Sequence, residues 1–170
     1  MYNKVFSGYN KLKYFMRVKY WRGRSVHSPF LYNVIREGFM KNENLPIDES
    51  FFNKLRENTF SYDQAMRVCR LFTHLGYETY TFDTQNYNGE DMVIVSGELN
   101  PNEISAIAKQ NRSKRRTICV VVRAIYKDKR RHQKWNLLSV ITGGVAVDLY
   151  HNGYLFIDRF LNRQNFKMRF

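Results

Sequence analysis

Residues Thr117–Trp135, Thr-Ile-Cys-Val-Val-Val-Arg-Ala-Ile-Tyr-Lys-Asp-Lys-Arg-Arg-His-Gln-Lys-Trp, decide how this chain folds. The stretch opens with an unbroken, largely β-branched run, Ile118 to Val122. So short a run, apolar on both alternations, predicts a strand covered on both faces, as at the centre of a parallel sheet. It then turns basic and helical. In an open α/β sheet, ligands sit just past the carboxyl ends of such strands. Arg123, Ala124 and their successors therefore occupy the place where chemistry normally happens. At Arg123 and Ala124 stand a cation and a methyl group, with no carboxylate to hold a metal or act as a base.

Working outward, Asp91–Ser96 (Asp-Met-Val-Ile-Val-Ser) reads as a second buried strand, and Asn100-Pro-Asn-Glu103 as the cap of a helix with Ile104, Ile107 and Ala108 facing inward. Glu78–Phe82 is a short alternating strand, followed by a turn at Tyr87-Asn88-Gly89. A helix from about Asp128 to Leu138 follows the central strand. Val145–Tyr150 and Tyr154–Phe160 read as a hairpin turning at Asn152-Gly153, and Gln164–Phe170 as an edge extension. Upstream, Ser61-Tyr-Asp-Gln64 is a capping-box pattern. It starts a helix with Ala65, Val68, Cys69, Phe72 and Leu75 on one face and Gly76 at its end. A short helix lies near Phe51–Arg56, after the polar linker 41–50. Ser28-Pro29 opens another helix, with Gly38 ending it.

Length and composition give one α/β unit of 170 residues and net charge +13, which favours anionic partners. Cys69 and Cys119 each lie inside an apolar pattern and belong to no Cys-x-x-Cys or Cys/His cluster, so they read as buried free thiols in a reducing compartment. No apolar run approaches the ~18 residues of a membrane span, and no signal-peptide core is visible; the expected location is cytoplasmic. Residues 1–24 hold seven Lys or Arg and no acid, interleaved with aromatics. A helix over Tyr9–Tyr20 places Leu12, Phe15, Met16 and Lys19 near one face. It either docks on the body or presents cations and rings to single-stranded nucleic acid or a membrane surface. The domain reading is a basic helical segment, 1–60, and an α/β unit, 61–170.

Three blocks, Arg24-Ser-Val-His-Ser-Pro-Phe-Leu-Tyr32, the central stretch, and Val147-Asp-Leu-Tyr-His-Asn-Gly-Tyr-Leu-Phe156 with Gln164-Asn-Phe-Lys-Met-Arg-Phe170, together carry a resemblance. They resemble the His-Ser-Pro-Phe-x-Tyr opening, core and closing hairpin and tail of a group of class I S-adenosylmethionine-dependent methyltransferases from Bacteroidetes-type bacteria. The resemblance implies a Rossmann-like half-sheet of about five strands with a C-terminal antiparallel hairpin. It does not imply methyl transfer. Where the family reads Asp-Asp-Ile-His-Trp-Ser, this chain reads Arg123-Ala-Ile-Tyr-Lys-Asp128. Ser96 stands where the family's strand ends in Asp. The Glu-x-Gly-x-x-x-Gly cofactor loop has no counterpart, and between Gly76 and Asp91 there is no room for the family's first strands and helices. What transfers is His27, Ser28, Pro29, Phe30, Ile125, Trp135, Asp148, Gly153 and Phe156, all of which look like framework.

From the residues alone, no Gly-x-Ser-x-Gly, His-Glu-x-x-His, P-loop or Gly-x-Gly-x-x-Gly occurs, and His27, His74, His132 and His151 are dispersed. Asp148 and Asp158 are expected to face each other across the hairpin as solvated carboxylates. Residues 109–134 carry eleven Lys or Arg against the single acid Asp128. Lys129–Arg131 fall in a first helical turn, where the macrodipole disfavours cations unless an anion binds. Arg115, Arg116, Arg123, Lys127, Lys129, Arg130 and Arg131 are therefore the candidate anion-binding residues. The leading expectation is a catalytically degenerate methyltransferase-like protein acting by binding an anionic ligand or nucleic acid, with no resident cofactor. Two others stand beside it. One is a residual methyltransferase that completes its S-adenosylmethionine site in a complex; the other is a subunit that pairs with itself or a full-length relative through a shortened sheet edge.

Overall fold

The computed structural model describes residues 2–16, 28–40, 46–111 and 116–169. It shows the α/β class expected: a Rossmann-like half-sheet behind N-terminal helices, with six strands where about five were expected. β1 (Tyr80–Thr81), β2 (Met92–Val95), β3 (Ile118–Arg123), β4 (Val145–Asp148), β5 (Asn152–Ile157) and β6 (Gln164–Lys167) lie in the order β1-β2-β3-β5-β4-β6. Only β5 runs against its neighbours. The carboxyl ends of all the other strands therefore share one end of the sheet with the start of β5. The tail forms the expected edge strand.

The strand alternation divides the core in two. Met92, Ile94, Cys119, Val121, Tyr154 and Phe156 face α2 (Pro29–Asn33), a π-helical stretch (Val34–Met40), α3 (Glu49–Glu57) and α4 (Tyr62–His74). Val93, Val95, Val120, Val122 and Leu155 face α5 (Pro101–Asn111) and α6 (Lys129–Ile141). Residues 29–57 thus share one core with the sheet. Local signals set the helix starts. The Ser28 side chain accepts from Leu31 N with Pro29 in the first turn, Asp48 caps α3, and Ser61 and Gln64 form both bonds of a capping box. Gly76, at φ +64°, follows α4 as its left-handed terminator. Cys69 and Cys119 are buried free thiols; burial pushes the Cys69 thiol up to about 12 and Cys119 higher still.

Four sequence expectations change. Asn152-Gly153 is not the turn: both residues lie in β5, and the chain reverses at Leu149–His151 with Tyr150 left-handed at φ +69°. Gly153 is used for close approach instead, because a Cβ there would stand 2.6 Å from a Trp135 ring carbon. Asp148 and Asp158 do not face each other. Asp148 is buried and accepts from the Tyr126 hydroxyl (2.6 Å) and Tyr150 N (2.8 Å), whereas Asp158 lies past the far end of β5, bonded to Thr117 Oγ1. Gly38 does not end a helix. It sits inside the π-helical stretch, where a Cβ would meet Leu71 Cδ1 at 3.2 Å, so its bareness lets α4 approach.

The fourth change concerns α1, which spans Tyr2–Phe15. The helix expected over Tyr9–Tyr20 thus starts earlier, and Leu12, Phe15 and Met16, expected near one face of it, are exposed. The docked face is Phe6 and Tyr14 instead, because rings on the body receive them. Phe6 stands 6.1 Å from His132 and Tyr14 5.3 Å from Tyr150, and Tyr126 stacks between His132 and Tyr150 at 4.1 and 5.2 Å. Lys19 and His27 lie outside the described residues.

Candidate functional site

The carboxyl end of the sheet is closed by one side chain. Arg131, in the first turn of α6, is only 8% exposed. Its backbone N–H is capped by Asp128 Oδ1 at 2.7 Å. Its guanidinium turns back onto the strand ends. Nε and Nη2 donate to Arg123 O at 3.0 and 2.8 Å, Nη1 to Gly97 O at 2.6 Å, and Nη2 also to Val95 O at 3.4 Å. The loops leaving β2 and β3 thereby share a buried cation, where an open α/β sheet ordinarily leaves a crevice. Burial pulls its pKa down and Asp128 opposes that, but a guanidinium stays charged.

Two openings flank this plug. One, about 440 Å³, is lined by Ser96, Gly97, Glu98 and Leu99 after β2 and by Lys127, Asp128, Arg130, Arg131 and Lys134. Neither of its acids opposes the cations freely. Asp128 is used as the α6 cap, and Glu98 is paired to Lys134 at 3.0 Å. The hydrogen bond and charge of Lys134, aided by Arg130 and Arg131, hold the Glu98 carboxyl below its ordinary range. The other opening, about 590 Å³, lies over β1 and β2 and is acidic, with Asp83, Glu98 and Glu103. Its carboxylates are tied locally. Asp83 accepts from Asn86 Nδ2 (2.6 Å) and from the N–H groups of Gln85 and Asn86, and Glu103 accepts from the hydroxyl of Thr84 and from Asn100 (2.8 Å). These bonds, led by Asn86 and Thr84 respectively, hold both carboxyls below their ordinary range. The Glu98–Lys134 pair stands on the divide between the two signs. Among the described residues, no three His, Cys, Asp or Glu side chains are grouped to hold a metal ion.

The candidate residues do not form one patch. Lys127 and Arg130 line the basic opening, and Lys129 is exposed on the same helical turn. Arg131 is there too, but it is committed to carbonyls. Arg123 points to the other face of the sheet, 5.9 Å over the Phe60 ring. Arg116 sits at the opposite end of β3, about 20 Å away along the strand. There it pairs with the buried Asp91 at 2.9 Å and donates to Gly76 O. Arg115 lies outside the described residues. Lys134, the last of the eleven cations of 109–134, lines both openings one α6 turn beyond Arg131, and the residues missed are the acids Asp83, Glu98 and Glu103. The signal for the acids was their place in the loop after β1, the loop after β2 and the first turn of α5. Ser96, which stands where the resemblance has an acid, donates to Asn58 Oδ1 at 2.9 Å.

The proton balance of these groups has one sign. Asp83, Glu98 and Glu103 are held below their ordinary values. So is His151, through burial and then the charges of Arg67 and Lys11. The unfolded chain therefore binds more protons than the folded one, and stability is lost on acidification. The His151 contribution is lost below its ordinary 6.5, those of Glu98 and Glu103 below 4.5 and that of Asp83 below 3.8. The thermal midpoint should fall between about pH 7 and about pH 4; a constant or rising midpoint contradicts this.

Comparison with known proteins finds no family model, no curated protein and no solved structure that matches the chain. No described helix is long and apolar enough to cross a membrane.

Proposed function

We propose that the protein is a motif-degenerate relative of class I methyltransferases that works by binding an anionic ligand at the basic half of its carboxyl-end cleft. The observation that carries this reading is the 440 Å³ opening lined by Lys127 and Arg130 beside Arg131, in which Asp128 serves as the α6 cap and Glu98 is paired with Lys134. The first turn of α6 adds its own positive end, so a phosphate placed there removes the repulsion among the cations. The half-sheet and closing β4–β5 pair are what the resemblance implies. A phosphorylated small molecule and a nucleic-acid phosphate offer the same chemistry.

The test is titration with inorganic pyrophosphate and with a fluorescent single-stranded oligonucleotide at low and moderate salt. Binding should weaken steeply as salt rises. The Lys127→Glu, Arg130→Glu double variant should bind at least about tenfold more weakly. A curve that is flat with salt, or unchanged in the double variant, overturns the proposal.

A second reading rests on the acidic half. The 590 Å³ opening past β1 and β2 is where a residual enzyme would keep its cofactor. Calorimetry with S-adenosylmethionine and S-adenosylhomocysteine separates the two readings: no heat retires the enzyme, and one-to-one binding reinstates it. Pairing through the sheet edge has less to build on, because β1 offers a partner only two residues.

A further inference from the structure

The outer face of α1 is apolar where a surface helix is normally polar. Phe6 and Tyr14 spend the inner face on the rings of His132 and Tyr150. Roughly opposite them, Tyr9 (58% exposed), Leu12 (60%) and Met16 (62%) stand at i, i+3 and i+7. They form one stripe, with the exposed Phe15 beside it. Met16 N still bonds to Leu12 O, so the stripe keeps its helical spacing past the last residue of α1. Gly8, one turn before Leu12, has open space where a Cβ would be. Single exposed apolar side chains are ordinary, but a contiguous stripe marks a contact surface.

Charge decides what covers it. Lys11 and Lys13 are exposed on either flank of the stripe, the Lys13 ammonium 4.4 Å over the Tyr9 ring. Arg169 donates to Phe15 O at 2.6 Å and lies 5.0 Å over the Phe15 ring, which adds a cation at the end of the helix. The sequence continues past Met16 with Arg17, Lys19, Arg22 and Arg24, and residues 1–24 hold no acid. A second copy would set the same cations face to face with no acid on the helix to answer them. Single-stranded nucleic acid would stack on outward rings, whereas Leu12 and Met16 hold the centre of this stripe. An anionic lipid surface answers both features: the acyl boundary receives Leu12, Phe15 and Met16, and the headgroups receive the lysines and Arg169. We infer that α1 is an interfacial helix that seats the protein on anionic membrane, lying in the surface without crossing it.

The experiment is co-sedimentation of the full chain with vesicles of phosphatidylcholine alone and of phosphatidylcholine mixed with phosphatidylserine. The mixed vesicles should bind the parent at least about tenfold more tightly than the neutral ones, and added salt should weaken that binding. The Leu12→Ser, Met16→Ser double variant should bind the mixed vesicles at least about tenfold more weakly. Its thermal midpoint should not change, because both side chains are exposed in the folded chain. Its response to pyrophosphate should equal the parent's, whatever that response is, so this inference and the anion site at α6 fail separately. Equal vesicle binding by the serine variant overturns the inference, since charge alone would then hold the protein to lipid. No binding to either vesicle overturns it and assigns the stripe to a protein partner. A dimer in light scattering that the serine variant loses overturns it in favour of a second copy.

Discussion

Arg131→Met lowers the stability of the fold by about 3 kcal/mol and the unfolding midpoint by about 6–12 °C. Methionine fills nearly the same space, so packing against α6 survives. What is lost is the set of donors. Arg123 O accepts two hydrogen bonds from this guanidinium, and Gly97 O and Val95 O accept one each. Bonds to a charged group contribute about 1.5–3 kcal/mol, and a buried acceptor left alone costs about 1–3 kcal/mol. Water entering from the flanking openings recovers part of this, which sets the figure below the simple sum. Arg131→Lys recovers less than half of the loss, because one ammonium cannot reach three carbonyls in the plane of a guanidinium. Chemical denaturation of the three proteins checks this. A methionine variant as stable as the parent would mean that Arg131 is a surface cation and the cleft is not plugged.

Gly153→Ala costs about 3 kcal/mol, at the upper end of what overpacking does in a closed core. The added methyl would lie 2.6–2.8 Å from three carbons of the Trp135 ring, and that ring is only 2% exposed. Trp135→Leu in the alanine background should restore about 1–2 kcal/mol relative to its effect alone, since the two sites are in contact and their effects do not add. Additive effects in that double-mutant cycle would contradict the packing described.

Much of this architecture is readable from short-range chemistry. The Ser61–Gln64 box, the Ser28-Pro29 start and the apolar Ile118–Val122 run each act within a few residues, and each forms the element expected of it. Asn152-Gly153 failed as a turn because its glycine answers a tertiary demand, the Trp135 ring, that no local pattern announces. The basic stretch was legible as charge but not as a site. A six-residue strand separates Arg116 from Lys127, pleating sends Arg123 to the opposite face, and Arg131 spends its charge on backbone carbonyls supplied from more than thirty positions upstream. The acids of the cleft come from Asp83, Glu98 and Glu103, which only the parallel sheet brings beside α6. The alanine and tyrosine that take left-handed backbone, Ala124 and Tyr150, carry no sequence signal at all.

The central claim is that an anion binds at the α6 side of the carboxyl-end cleft. Amide chemical shifts of the isotope-labelled protein, followed during titration with inorganic pyrophosphate, test it most directly. Saturable shifts are expected at Gly97, Glu98 and Lys127–Arg130, with Arg116 and Asp91 at the far end of the sheet unmoved. Shifts centred on Arg116, or no saturable shift at the start of α6, would contradict it.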